Sequence, residues 1–357
     1  MVAGIFVASK VLVGQPEATA ATAALDPIET ETEPPAPFVP EWPPVVLKVG
    51  GVIEQFPNVI PVTTEQAATF GWVKAEEDCN PYLGEAYLYG GVRSIDSSAT
   101  LYFTPDVGGV PGILSGIEVD YYGHYEESML GTYFSEERSS ADGTFHSLAV
   151  ALRDYDEHDV CDTSGPIPHT GLERVTIAPG LASDNVPLTE SSEELQANWK
   201  EGSCIYAMGY HYSKDIVGGK ELTYESSNLM PVTPMYSSST GELASIFFVA
   251  TDLKQTWPDH CPVDPMDQSQ PCAAPFLNFW DRSPGLTELN RPPFYMCSNF
   301  CDENCRFTGS PDEMFTTMHW MFGNTFGENC GGNPFPVSCR NGAQVEFEEL
   351  FPPDFLP

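Results

Sequence analysis

The chain has 357 residues, 41% of them hydrophobic and 12% aromatic, which is enough apolar material for two domains of ordinary size. Its 51 acidic residues against 15 basic ones give a formal charge of -36 and a pI near 4.2, a balance that repels phosphate backbones and so excludes nucleic acid as a partner. No run is apolar and long enough for a membrane span, and charge of this sign favours a cation, a basic partner or a mineral surface, or simply keeps the chain in solution.

Residues 1 to 22 open on Val2 to Ala8, carry Lys10 and end in Ala18, Ala20 and Ala21, the form of a remnant targeting segment. From Leu25 to Pro44 the chain turns to Pro, Glu and Thr, with Pro34, Pro35, Pro37, Pro40, Pro43 and Pro44 opposing both helix and sheet. Residues 1–50 therefore read as a disordered Pro/Glu-rich N-terminal segment, in which Phe38 and Trp42 offer docking anchors.

The next stretch is printed twice. Asn58-Val59, Trp72, Cys79, Gly84 and Tyr87 answer to Asn185-Val186, Trp199, Cys204, Gly209 and Tyr212. A further match sets Thr104-Pro105, Gly112, Leu114 and Ile117 against Thr233-Pro234, Gly241, Leu243 and Ile246 without a gap. The pattern implies a tandem duplication: a first β-domain over 51–184, a second with disulfide-pinned loops over 185–345, and an acidic-hydrophobic tail over 346–357.

Within the first copy, Thr63 and Gln66 have the form of a capping box opening a short helix. Ser191 and Glu194 take those parts in the second copy, before Leu195 and Trp199. Short β-branched and aromatic runs follow each helix at Ala86 to Tyr89, Thr100 to Phe103, Ile117 to Tyr122 and Ser147 to Leu152, then at Ile205 to Tyr212, Ala244 to Thr251 and Phe315 to Phe322. The expected fold is mainly β: two antiparallel β-sandwich or open-barrel domains, each with one short helix, stabilised by disulfides.

Ten cysteines, all but Cys79 and Cys161 lying after residue 200, suit a secreted protein or the lumen of an oxidising compartment. The Cys-x3-Cys spacings of Cys297, Cys301 and Cys305 miss the usual metal-binding spacing. Position within the repeat pairs Cys79 with Cys161 and Cys204 with Cys301, and leaves Cys261 with Cys272, Cys297 with Cys305, and Cys330 with Cys339. The strand-like stretch from Val345 to Phe351 in the tail offers an edge for pairing.

No nucleophile elbow, phosphate loop or dinucleotide fingerprint occurs. Ser115 only imitates an elbow. The run Asp154, Asp156, Glu157, Asp159 resembles a calcium loop with the wrong residue at its turn, since Asp159 stands where glycine is needed. His211 and His319, each among aromatics on an expected strand, are the candidate ligands for a divalent metal ion, the one cofactor suggested. Three readings stay open: a non-enzymatic binding or assembly protein that self-associates or docks another protein, a metal-dependent enzyme centred on His211 and His319, and an acidic calcium- or mineral-binding matrix protein.

Overall fold

Among the described residues, strand-forming runs punctuated by Gly, Asp and Pro become fifteen strands beside two six-residue helices. The computed structural model describes residues 45–49, 56–94, 98–122, 131–154, 159–164, 172–205, 208–223, 228–250, 316–322 and 330. In chain order these hold β1 (Val45–Val49), β2 (Phe56–Ile60), α1 (Thr64–Thr69), β3 (Trp72–Lys74), β4 (Glu85–Tyr89), β5 (Ala99–Phe103), β6 (Leu114–Tyr121), β7 (Arg138–Ser140) and β8 (Gly143–Ala151). Then come β9 (Val175–Ile177), β10 (Asp184–Val186), α2 (Glu193–Asn198), β11 (Lys200–Ile205), β12 (Gly209–Ser213), β13 (Val232–Tyr236), β14 (Leu243–Ala250) and β15 (Thr316–Met321). None of the described helices is long and apolar enough to cross a membrane.

Two antiparallel sheets result. One runs β3-β4-β5-β6-β8-β9-β10, with β7 paired to β8 off that path; the other runs β11-β12-β13-β14-β15-β1-β2. Read from β3 and from β11, the two sheets pass through the same order of parts: four successive strands, a fifth, then a hairpin. The hairpin in each case precedes, in the chain, the helix that the expected pattern sets at the head of a copy. β9 and β10 precede α2 yet complete the first sheet, while β1 and β2 precede α1 and complete the second.

Local contacts repeat as closely. Leu114 N donates to Val62 O (3.0 Å) and Leu243 N to Leu188 O (2.8 Å); Thr64 N donates to Gly112 O (2.9 Å) and Glu190 N to Gly241 O (2.7 Å). The β5–β6 ladder slips register between Tyr102 and Phe103, and the β13–β14 ladder between Met235 and Tyr236. A glycine explains why each slip is tolerated. Gly84 (φ +108°) and Gly209 (φ +94°) lie against it, and a Cβ there would stand 2.3 Å from Phe103 O and 2.2 Å from Tyr236 O.

These contacts move one sequence match. Thr104 N donates to Ile113 O as Ser237 N donates to Glu242 O, so Thr104 corresponds to Ser237, four residues beyond the Thr233-Pro234 expected. The connection from β13 to β14 is four residues shorter than that from β5 to β6, and an ungapped match cannot absorb that. The described elements also cut across the expected boundaries. β1 lies inside the 1–50 segment, the 184/185 boundary falls within β10, and the Ile205 to Tyr212 run is two strands, β11 and β12.

The α1 cap forms as expected: Gln66 N donates to Thr63 Oγ1 (3.2 Å), and Val62 N donates back to Gln66 Oε1 (2.9 Å). The Ser191 and Glu194 box does not form. Ser192 is the N-cap of α2 and makes no side-chain cap bond.

One contiguous apolar cluster draws on both sheets, with Trp72, Tyr87, Leu101, Ile117, Val119 and Val150 from the first, Tyr212, Ile246, Phe248 and Trp320 from the second, and Trp199 from the end of α2. Tyr121 Oη donates to Val249 O (3.2 Å), and Asp184 accepts from both Tyr133 Oη and Lys214 Nζ, further ties between them. Among the described residues there are two disulfides. Cys79–Cys161 is the expected pair, but Cys204 bonds Cys330, not Cys301. The expected partners of Cys330 and of Cys204, Cys339 and Cys301, lie outside the described residues, as do Cys261, Cys272, Cys297, Cys305 and the 346–357 tail.

Candidate functional site

The inner faces of the two sheets carry similar side chains; the outer faces do not. In register, Ala86, Tyr102, Gly116, Glu118, Ala149 and Ala151 of the first sheet occupy the places of His211, Met235, Ser245, Phe247, His319 and Met321 in the second. Equivalent register positions thus carry small residues, Tyr102 and Glu118 in the first sheet and a histidine-methionine surface in the second.

On the first sheet, Glu118 and Asp120 follow each other at period two along β6 and point away from the core side taken by Ile117, Val119 and Tyr121. Arg93 reaches both, its Nη1 lying 2.8 Å from Glu118 Oε1 and 3.1 Å from Asp120 Oδ1. Arg138 Nη1 donates to the same Glu118 oxygen (2.9 Å), and Ser147 Oγ donates to Asp120 Oδ1 (2.7 Å). Arg93 Nε also lies 3.9 Å from Oε1 of the more exposed Glu77, so two of the chain's 15 basic residues meet three carboxylates.

Asp120 is fully buried. Burial pushes its carboxyl up to about 7, against the pull of Arg93, while Glu118 adds to the rise. Burial works against the Arg93 charge as well, but Glu118 and Asp120 outweigh it and hold the guanidinium above its ordinary range. The arrangement places at neutral pH a carboxyl able to take up or release a proton. Arg93 Nη2, Ser98 Oγ and Thr100 Oγ1 are buried with no hydrogen-bond partner among the described residues. Sequence reading passed over these residues because two acids alternating with Ile and Val look like the solvent side of a strand; the scarcity of arginine is what marks Arg93 and Arg138.

On the second sheet, His211 is 1% exposed, with Nδ1 3.1 Å from Ser203 O and 3.2 Å from Gly209 O. Two carbonyls can only accept, so Nδ1 carries the hydrogen. Burial, with the His319 imidazole adding to it, lowers His211 to about 4, so the ring is neutral at pH 7. Around it Met208, Met235, Phe247, Val249 and Met321 form a buried apolar cluster.

His319 lies on the same face, but Phe247 stands between the two imidazoles, its ring centroid 5.6 Å from that of His211 and 5.1 Å from that of His319. Two strands, β13 and β14, separate their backbones, which places those backbones roughly 14 Å apart. The Phe247 ring meets each imidazole at a tilt, with interplanar angles of 53° to His211 and 43° to His319. No group of three His, Cys, Asp or Glu suited to a metal occurs among the described residues.

The other candidates are accounted for by contacts. Ser115 Oγ donates to Leu83 O inside the buried β6, Asp154 pairs with Arg174 (3.1 Å), and Asp159 Oδ1 accepts from Cys161 N (2.8 Å). Asp156, Glu157 and His158 lie outside the described residues. Comparison with known protein families, with curated proteins and with solved structures finds no match to this chain.

Proposed function

We propose that the protein is a non-enzymatic binding or assembly protein of a secreted or lumenal, oxidising compartment, built from two related repeats and self-associating. The observation that carries this reading is the matched strand order of the two sheets. Their four ends come as equivalent pairs, β3 with β11 and β10 with β2, and a body with paired equivalent edges joins copies through repeated contacts. Two disulfides support the compartment. The formal charge of -36 sets the condition: copies repel at low salt and approach when the charge is screened.

Sedimentation velocity over a concentration series, at about 10 mM and about 150 mM salt, tests the reading. The expected outcome is a mass that rises with concentration and rises further at the higher salt. A monomer at every concentration and both salts overturns it.

A further inference from the structure

We propose that the side of β8 that receives β9 and the side of β15 that receives β1 are docking edges for a hairpin supplied by the other half of the molecule, so that the protein is a reciprocal complex of two halves that happen to share one chain. The observation is the exchange itself. β9 pairs with β8 through Val150↔Ile177 and Ala151↔Thr176, and β1 pairs with β15 through Val46↔Met321, Leu47↔Trp320 and Lys48↔His319.

Each hairpin leaves the sheet it completes through a matched crossing, Pro61-Val62-Thr63 after β2 and Pro187-Leu188-Thr189 after β10. Thr63 then bridges Ile113 just ahead of β6 in the first sheet, and Thr189 bridges Glu242 just ahead of β14 in the second. Three residues reach no more than roughly 14 Å between the flanking Cα atoms, and proline at the first holds the crossing extended. Each hairpin is thereby committed to the sheet of the half it does not begin.

Covalent bonds do not hold the halves together apart from the chain itself. The part before residue 165 has only two cysteines, Cys79 and Cys161, and they bond each other, so no disulfide crosses from one half to the other. Among what crosses are the two strand ladders, the shared apolar cluster, the Tyr121–Val249 and Tyr133–Asp184 hydrogen bonds, and the pairs Arg153–Glu173 (3.3 Å) and Arg174–Asp154 (3.1 Å). The partner that each edge fits is accordingly an antiparallel hairpin followed by a proline crossing, as carried by a second repeat of this kind. The inference holds whether or not whole molecules self-associate.

Two full-length variants test it, each folded before it is cut: one with a protease recognition sequence inserted within residues 165–171, the other with the same sequence inserted between Glu190 and Ser191. The first cut leaves both ladders, β8 to β9 and β15 to β1, joining the pieces; the second leaves β15 to β1 and the short bridge of Leu188 to Glu190 with Gly241 to Leu243. The first nicked protein is expected to keep the mass of the intact chain on a native column and to separate only in denaturant. It should also stay together at least tenfold more dilute than the second. Separation of the first pair in native buffer at micromolar concentration, or equal persistence of both, overturns the proposal.

Discussion

Replacing Arg93 with methionine removes the one side chain that faces both buried carboxylates while keeping an apolar stem of similar length. The side chain of Arg93 is 11% exposed, that of Glu118 5% and that of Asp120 0%. Without the guanidinium, Glu118 keeps Arg138 and Asp120 keeps only the Ser147 hydroxyl. Breaking a buried ion pair from one side costs about 3–5 kcal/mol, because the remaining charge stays desolvated. The sign with pH follows from Asp120. Its folded value, about 7, lies above its ordinary 3.8. The stability it contributes is therefore complete below 3.8 and is lost as pH rises towards 7.

In the Arg93→Met protein the carboxyl is pushed higher still, so that loss continues past pH 7 and the gap from the parent widens. Denaturant unfolding from pH 5.5 to 8.5 should show a deficit of about 3–5 kcal/mol at the alkaline end. At the acid end, where Asp120 is protonated in both proteins, the deficit should narrow to roughly 1–3 kcal/mol, the worth of hydrogen bonds to a charged group. Adding Asp120→Asn to the variant should recover much of the alkaline deficit. A gap below about 1 kcal/mol throughout, or one that widens on acidification, refutes the argument by showing that water reaches the carboxylates.

Three further outcomes follow from named contacts. His211 titrates near 4 in the folded chain against 6.5 ordinarily, so its contribution is complete above 6.5 and falls by about 3 kcal/mol as pH drops to 4; an NMR titration midpoint near 6.5 contradicts this. Gly209→Ala should destabilise by more than about 2 kcal/mol, since it adds both strain at positive φ and a clash with Tyr236 O. Gly90→Ala, with nothing within 4 Å of its new Cβ, is the control for strain alone at about 1 kcal/mol. Removing Cys79–Cys161 as a paired alanine variant should lower unfolding stability by up to about 4.5 kcal/mol for a sequence separation of 82, and a loss under about 1 kcal/mol would mean that the loop is constrained by other contacts.

Local chemistry was legible in the sequence. Thr63 and Gln66 are three residues apart and cap a helix without help from any distant group, and the pair Gly84 and Gly209 marks a backbone approach that no other residue permits. The pairing of β1 with β15 was not legible, because hydrophobic pattern identifies a strand but not its neighbour, and the prolines before Val45 drew that strand into the segment read as a tether. The signal for the exchange was present in Ile60-Pro61-Val62-Thr63 and Val186-Pro187-Leu188-Thr189, one residue out of step with the Asn-Val match. Cys330 was missed for a related reason: position within the repeat ranks cysteines along the chain, whereas the bond depends on a Cα separation of 5.7 Å in the fold. At the candidate site, Phe247 separates His211 from His319, and only the strand order reveals it.

The two halves reach the same arrangement by unequal routes. Strands β3 to β10 are continuous in the chain, so the first sheet forms with no partner from outside residues 72–186. The second sheet needs Val46 beside Met321, a separation of roughly 275 residues. Loop-closure entropy grows only with the logarithm of length, so closing that loop costs about 2 kcal/mol more than closing one of thirty residues. The penalty bears more on time than on stability, since distant strand pairing is slow. The β1–β2 hairpin lessens it by forming from local contacts, Val45↔Ile60 through Val49↔Phe56, before it docks. The joint between a fifth strand and a hairpin is thus made early and locally at β8 and β9, and late and at a distance at β15 and β1. Until the second joint closes, β15 presents an unpaired edge, and a hairpin from any copy of the chain satisfies it by the same three residue pairs.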